Sequence, residues 1–255
     1  MHTNLIKQKL SNGEVCRGIW LGLPSPFSAR LLARLPLDWI LVDAEHAPVD
    51  ASTMTLMLAA IAETGGPAPF VRIAQASVEN IKHALDAGAF GVIVPMINTR
   101  QEAEQVIAWS RFPPEGQRSF GSAYAGLTFG LSMPEYLRAA NQQTVIGIQI
   151  ESKTALDNLD EIFSLPGLDL AFVGPIDLSI SLGLDPFPEN PHPLFQEALA
   201  KIIAAAKKHN LPLGIYCSNG AAAAARIAQG FQFVNVSSDL NSLTRGTLAE
   251  LEASK

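Results

Sequence analysis

Three titratable residues stand directly behind an apolar run in the stretch DWILVDAEHAP, residues 38–48. Asp43, Glu45 and His46 follow that run within four positions, and Pro48 prevents its continuation as a regular strand. A histidine beside a carboxylate is a typical proton-transfer pair, because the imidazole pKa lies near neutral pH. The spacing favours His46 as a base, with Glu45 in a supporting role or at a subunit contact. A loop histidine with only structural hydrogen bonds is the alternative.

Three more charged residues interrupt or end other apolar runs: Arg72, Glu151 and Asp177. Each also has a structural interpretation, as a salt-bridge partner, an acid near a helix start or a helix cap. If two carboxylates stand on neighbouring strands, about 4.8 Å apart, they either repel or share a cation. Mg2+ or Mn2+, which keeps several waters, fits two oxygen ligands better than zinc, because no His or Cys ligands cluster in the sequence.

A metal ion, an arginine and a histidine around one small anion indicate carbon-acid chemistry. The metal ion would chelate a 2-oxo acid, and Arg72 would stabilise the charge that develops on its keto oxygen. His46, oriented by Asp43 or Asp86, would move the proton, and the amides of residues 174–177 would receive the substrate carboxylate. A Schiff-base mechanism is the weaker option, because Lys153 is the nearest lysine to a predicted strand end.

Strand and helix patterns alternate along the whole chain. Eight apolar, β-branched runs cover residues 18–23, 38–43, 69–74, 91–96, 144–151, 169–174, 212–217 and 232–237. Examples of the helical patterns between them cover 52–63, 78–87, 100–110 and 154–163, with Ser77, Thr99 and Ser152 near their starts. The alternation predicts a single-domain (β/α)8 TIM barrel, with its chemistry at the C-terminal strand ends. A doubly wound sheet is the alternative, but no GxGxxG follows the first run.

Composition narrows the possible partners. The 255 residues are 48% hydrophobic and 16% charged, with a net charge of −6, and Lys207–Lys208 is the longest basic run. This balance argues against nucleic acid or an anionic membrane as a partner. Cys16 and Cys217 form no CxxC motif. No signal peptide and no apolar window of about 18 residues is visible, so we expect a cytoplasmic protein.

The sequence resembles the HpcH/HpaI aldolase family, the metal-dependent (class II) pyruvate aldolases. The motifs that carry the resemblance run through most of the chain in order: GIWLGLPSP, DWILVDAEHAP, PFVRIA, ALDAGAFGVIVPMI, FPPEGQRSFG, IGIQIES, LAFVGPIDLS and GIYC. The resemblance implies a (β/α)8 barrel, commonly a hexamer whose C-terminal helix is exchanged between subunits. It also implies a divalent metal ion: Mg2+ or Mn2+, with Co2+ as a further candidate.

The resemblance also assigns roles to residues of this chain. The catalytic residues it implies are His46, Arg72, Asp86 as the acidic partner of the histidine, and Asp43 close by. The metal ligands it implies are Glu151 and Asp177. The substrate-binding residues it implies are Arg72, Gln149, Gly174, Pro175, Ile176 and Asp177. We therefore expect a reversible aldolase that cleaves a 4-hydroxy-2-oxo acid into an aldehyde and pyruvate, or hydroxypyruvate.

Two positions depart from the pattern that this family shows. Ser119 replaces the last glycine of Gly-x-Arg-Gly, and Ala125–Gly126 stands where relatives often have Ala-Arg. This loop is expected to line the aldehyde side of the pocket. Loss of a cation there argues against a long acidic aldehyde and favours a smaller or neutral hydroxyaldehyde.

Two other functions are alternatives to an aldolase. A citrate-lyase-like enzyme that cleaves a CoA thioester would need a basic groove for the CoA phosphates, and no such patch is visible in the sequence. A non-catalytic barrel that binds a 2-oxo acid would not need His46, Arg72, Glu151 and Asp177 together.

Overall fold

The computed structural model describes residues 4–121 and 123–255 of the chain. Eight parallel strands pair in chain order, and β8 pairs with β1, so the sheet closes into a barrel. The predicted (β/α)8 TIM barrel is confirmed. The strands are β1 Cys16–Leu21, β2 Trp39–Asp43, β3 Ala68–Arg72, β4 Gly91–Val94, β5 Val145–Ile150, β6 Leu170–Val173, β7 Leu213–Ile215 and β8 Phe233–Ser238.

Helices connect successive strands, and one further helix precedes the first strand and another follows the last. Those before β5 are α1 Leu5–Ser11, α2 Pro26–Leu32, α3 Ala51–Ala62, α4 Val78–Asp86, α5 Arg100–Ser110, α6 Ala123–Phe129 and α7 Met133–Gln143. Those after β5 are α8 Lys153–Asp157, α9 Leu159–Phe163, α10 Pro175–Ser181, α11 Pro193–His209, α12 Gly220–Ala228 and α13 Asp239–Ala253. Among the described residues, no helix is long and apolar enough to cross a bilayer.

The predicted helix starts are confirmed, but one predicted helix is wrong. The side chains of Ser77, Thr99 and Ser152 each accept a backbone N–H three residues on, which satisfies a donor that the helix itself leaves free. The predicted helix over 154–163 is two short helices, because Asn158 leaves the helical backbone region between them. Its side-chain amide donates to the Asn98 carbonyl at 2.8 Å, and this bond fixes the break.

The hydrophobic core has two layers, one inside the barrel and one between strands and helices. Strands buried on both faces explain why the apolar runs in the sequence are continuous rather than alternating. Inside the barrel the rings of Trp39 and Phe233 stack with centroids 4.0 Å apart. Gly18 lies against the Trp39 ring, where a Cβ would overlap ring atoms.

The amino-terminal end of the barrel is covered by other parts of the chain. Asn4, just before α1, donates to the carbonyl of Phe90 at 3.0 Å. The Phe90 ring stacks on Phe129 of α6 with centroids 3.9 Å apart. These contacts close one end of the barrel, so the open mouth is at the carboxyl ends of the strands.

Gly18→Ala is expected to lower the free energy of unfolding by about 1–3 kcal/mol, because the new methyl group must displace the packed Trp39 ring. Gly220→Ala is the matched control: a Cβ there meets nothing within 4 Å. It should change the free energy of unfolding by less than about 1 kcal/mol. Urea unfolding of both variants measures the difference. Equal stability of the two would contradict the tight packing inside the barrel.

Candidate active site

Arg72 lies at the end of β3, directly opposite Asp43 in the strand register. Its Nε donates to Asp43 Oδ1 at 2.9 Å and its Nη2 to Asp43 Oδ2 at 2.5 Å. Trp20 on β1 donates its indole N–H to Asp43 Oδ2 at 3.2 Å, and its ring lies 4.9 Å from the Arg72 guanidinium. Burial alone would raise the pKa of Asp43, but the bonds and charge of Arg72 outweigh it and lower that pKa. Asp43 is therefore ionised and holds Arg72 in one orientation.

Glu45 bridges Arg72 and His46. One carboxylate oxygen, Oε2, lies 3.1 Å from Arg72 Nη1 and 3.9 Å from His46 Nε2. The backbone N–H groups of Glu45 and His46 both donate to Asp43 Oδ1, at 3.0 and 3.3 Å. Asp43 thus fixes the backbone that carries His46, whereas the imidazole itself faces Glu45 and is largely exposed. The sequence reasoning underrated Glu45, which is part of the site.

Asp86 is not brought to His46 within the chain. It is the last residue of α4, which runs from the carboxyl end of β3 to the amino end of β4, so it lies at the closed end of the barrel. Its carboxylate pairs with Arg118 Nη2 at 2.8 Å. Ala125 and Gly126, which depart from the family pattern, belong to α6, which also packs at the closed end. The expectation that this loop lines the pocket does not hold within one chain.

Glu151 and Gln149 extend from β5 into the mouth and are almost fully buried. The Met96 N–H donates to Glu151 Oε1 at 2.7 Å, and the Gln149 amide donates to Glu151 Oε2. Met96 makes this bond from a left-handed conformation, φ 56°, that is uncommon outside glycine. Burial raises the pKa of Glu151, and the charges of Asp177 and Glu45 raise it further. The carboxylate is thus fixed in place but has little positive charge beside it.

Asp177 lies on α10, which follows directly from β6. Strands β5 and β6 are neighbours, as the sequence predicted, so Glu151 and Asp177 stand on adjacent units. The N-cap of α10 is Gly174, so Asp177 does not cap the helix and its carboxylate faces the mouth. Gly174 is required for a separate reason: a Cβ there would overlap Glu151 Oε2.

A cavity of about 660 Å³ opens between these residues. The predicted residues among its lining are Asp43, His46, Arg72, Gln149, Gly174, Pro175, Ile176 and Asp177. Other residues that line it include Trp20, Leu23, Phe172, Tyr216, Ser238 and Leu240. The sequence analysis did not identify Trp20 and Tyr216 as site residues. Both carry a polar group on an aromatic ring and stand at or next to the end of an apolar run, and this combination could have indicated them.

The donor set suits a hard divalent cation. Within residues 4–121 and 123–255, no group of three or more His, Cys, Asp or Glu side chains could hold a metal ion. Glu151 and Asp177 are a pair of carboxylates on neighbouring βα units. In the same part of the chain, the buried Gln149 Oε1 accepts no hydrogen bond. Four carboxylates, those of Asp43, Glu45, Glu151 and Asp177, share the site with one guanidinium. Oxygen ligands and excess negative charge fit Mg2+ or Mn2+.

Comparison with known proteins identifies the family of the chain. The family model for HpcH/HpaI aldolase/citrate lyase matches residues 17–246. A hydroxypyruvate/pyruvate aldolase from Rhizorhabdus wittichii is 38% identical over 242 residues, 94% of each chain. A 4-hydroxy-2-oxo-heptane-1,7-dioate aldolase from Salmonella typhimurium is also 38% identical, over 96% of this chain and 92% of its own.

A similar crystal structure is that of a family protein from Burkholderia cenocepacia, with a TM-score of 0.91 and 36% identity. The match covers 98% of this chain and 99% of that one. The family model and these relatives show that the chain belongs to the HpcH/HpaI aldolase/citrate lyase family.

Proposed function

We propose that this chain is a cytoplasmic class II aldolase that reversibly cleaves a 4-hydroxy-2-oxo acid into an aldehyde and pyruvate or hydroxypyruvate. The observation that carries the proposal is the Arg72 guanidinium, which is fixed by Asp43 and shares one cavity with Asp177. A cation held in place before the reaction can stabilise negative charge without the cost of reorganisation. The aldolase names of the relatives from Rhizorhabdus and Salmonella support the same reaction class.

Glu151 and Asp177 would hold the divalent ion, Mg2+ or Mn2+, with Co2+ as a third candidate. When bound, the ion supplies Lewis-acid polarisation of the 2-oxo acid. Gln149 and the backbone amides of Ile176 and Asp177 would orient the substrate carboxylate, because these three residues line the cavity.

In the cleavage direction the substrate C4 hydroxyl loses its proton and the C3–C4 bond breaks. The electron pair moves towards the C2 oxygen, where Arg72 would stabilise the negative charge. C3 then takes up a proton, and His46 would handle the proton transfers at the open side of the cavity. Asp43 would act by holding Arg72 and the loop that carries His46.

We further propose a homo-oligomer, with the hexamer and exchanged C-terminal helix that the family resemblance implies. Only Asp239 of α13 is buried, and the remaining helix exposes four leucines: Leu240, Leu243, Leu248 and Leu251. A row of exposed leucines of this kind is unfavourable in water unless another surface covers it. A second copy would also be the only source of an Asp86 near His46, because the two lie at opposite ends of one barrel.

Pyruvate methyl protons are expected to exchange with D2O in the presence of Mg2+ or Mn2+ and not with EDTA, as measured by NMR. Arg72→Ala should slow the exchange about 10²- to 10³-fold, because it removes the charge that stabilises the carbanion. His46→Ala should slow it as well. Arg100→Ala, an exposed arginine paired with Glu104, is the control and should exchange normally. Exchange that persists in Arg72→Ala would refute the role of Arg72.

Asp177→Asn and Glu151→Gln are each expected to weaken Mn2+ binding at least about tenfold, because an amide lacks the carboxylate charge that attracts the ion. Isothermal titration with Mn2+ measures the change. Asp160→Asn is the control, since that carboxylate pairs with Lys208 and His209 at the surface. Parent-like affinity in Asp177→Asn would show that the ligand assignment is wrong.

The parent protein is expected to sediment as a hexamer in analytical ultracentrifugation. The double variant Leu243→Glu, Leu248→Glu should shift it to smaller species, because charges placed on α13 oppose burial of that helix against another chain. Leu5→Glu, at an equally exposed leucine of α1, is the control and should leave the assembly unchanged. A parent protein that sediments only as a monomer would reject the proposed assembly.

A further inference from the structure

The loop between β1 and α2, residues 22–25, is held by one buried carboxylate. Asp239 Oδ1 accepts the Gly22 N–H at 2.8 Å, and Asp239 Oδ2 accepts the Leu23 N–H at 3.0 Å. Asp239 Oδ1 also accepts the Leu240 N–H at 2.8 Å, in the first turn of α13. One side chain therefore joins the loop to the start of a helix at the other end of the chain.

Asp239 is not needed as the cap of its own helix. Ser238, the residue before it, already caps α13 by accepting the Asn241 N–H at 3.1 Å. Asp239 is 5% exposed, and among the described residues no Lys, Arg or His forms an ion pair with it. A buried carboxylate requires partners for its charge, and here backbone N–H groups supply them. The two loop amides thus stabilise the Asp239 charge, and loop and helix are fixed to each other.

This contact lies directly behind one wall of the proposed active-site cavity. The lining residues next to it are Gly22, Leu23, Pro24, Ser238 and Leu240. Asp239 is not among the described residues that line the cavity, so it acts on the wall from behind. A Cβ on Gly22 would approach Leu240 Cδ1 to 2.9 Å, which shows how closely the loop and the helix pack. The position of this wall therefore depends on the position of the first turn of α13.

Beyond its first turn, α13 has little support from its own barrel. Of this helix, which the structure describes in full, Asp239 is the one buried residue, and residues 242–253 are exposed throughout. In the proposed homo-oligomer, contacts with a second copy of the chain would determine where the helix lies. Because Asp239 joins the helix start to the loop, the same contacts would determine where the loop lies.

We propose that Asp239 is a positioning residue that couples assembly of the protein to the wall of its active site. When α13 is packed on a second copy, Asp239 holds Gly22 and Leu23 in place, and the cavity is preorganised for the 2-oxo acid. When α13 is released, the loop loosens and the 2-oxo acid binds more weakly. The inference rests on the proposed aldolase function and on the proposed homo-oligomer. Asp239 takes no part in the chemistry at Arg72.

Amide hydrogen exchange of the loop tests this link without any substrate. Proline has no N–H, so the segment 22–26 reports only three amides, those of Gly22, Leu23 and Ser25. In Asp239→Asn they should exchange roughly tenfold faster than in the parent protein, because an NH2 group replaces one acceptor oxygen. Sedimentation of this variant should stay that of the parent.

Loss of assembly should have the same effect on the loop. The double variant Leu243→Glu, Leu248→Glu, which we expect to form smaller species, should also exchange these three amides faster. Adding Asp239→Asn to the double variant should cause little further change, because both alterations interrupt one connection. Parent-like loop exchange in the double variant, or fully additive effects in the combined one, would overturn the inference.

The kinetic signature is a split between KM and kcat in the exchange of the pyruvate methyl protons. In Asp239→Asn the apparent KM for pyruvate should rise about three- to tenfold, because binding must first order the loop. The value of kcat should stay within about twofold, since Arg72, Asp43 and His46 keep their contacts. A parent-like KM in Asp239→Asn would overturn the inference.

Asp50→Asn is the matched control. Asp50 is an exposed aspartate that caps α3 by accepting the Thr53 N–H at 2.7 Å, and its bond stays within its own helix. Asparagine is an equally good helix cap, so this variant should keep the loop exchange and the KM of the parent.

Gly22→Ala keeps the inference testable if Asp239→Asn does not fold. Its methyl group meets Leu240 and separates the loop from the helix without altering the carboxylate, so loop exchange and KM should both rise. Parent-like values in a folded Gly22→Ala would overturn the inference. A parent protein without methyl exchange would overturn the aldolase function, whereas amide exchange would still decide whether Asp239 couples helix and loop. A parent that is only a monomer would overturn the assembly and the coupling together.

Discussion

The buried guanidinium of Arg72 must be paired, because an isolated charge in so apolar a barrel would be strongly unfavourable. Asp43 meets this requirement from the facing position on the adjacent strand, with two hydrogen bonds. Trp20 fixes the pair from a third strand, β1. Because Asp43 also binds the backbone of Glu45 and His46, the same ion pair determines where the following loop begins. The arrangement of the mouth depends on this one contact.

The remaining charges at the mouth are arranged around that pair. Glu151 is buried and fixed by Met96 and Gln149, while Asp177 stands beside it on the next βα unit. Among the described residues, neither has a paired cation as Asp43 has, which is the physical reason why this side of the mouth suits a divalent ion. Gly174 allows the close approach, since any side chain there would displace Glu151. Two local backbone features thus stabilise the site and not the core: Gly174 has no Cβ, and Met96 has a left-handed backbone conformation.

Much of the fold could be predicted because the strands of a closed parallel barrel are buried on both faces and appear as continuous apolar runs. All eight were found, and three of the four predicted helices had the expected extent. The fourth was divided at Asn158 by a bond to Asn98, some 60 positions away, which no local pattern reveals. Likewise, the roles of Trp20 and Tyr216 depend on contacts between strands far apart in sequence, and Asp86 could not be placed relative to His46 before the direction of α4 was known.

The sequence by itself determined the order and type of the elements and the polar residues at the strand ends, because both follow from local hydrophobic pattern and from the rule that barrel chemistry lies at one rim. The tertiary structure alone decided the pairing of those residues. In it, Arg72 pairs with Asp43 and Glu45, whereas Asp86 and Ala125–Gly126 lie at the closed end of the barrel. It also brought Trp20 and Tyr216 together at the wall of the cavity. Pairing depends on strand register and closure of the barrel, and these are properties of the whole chain.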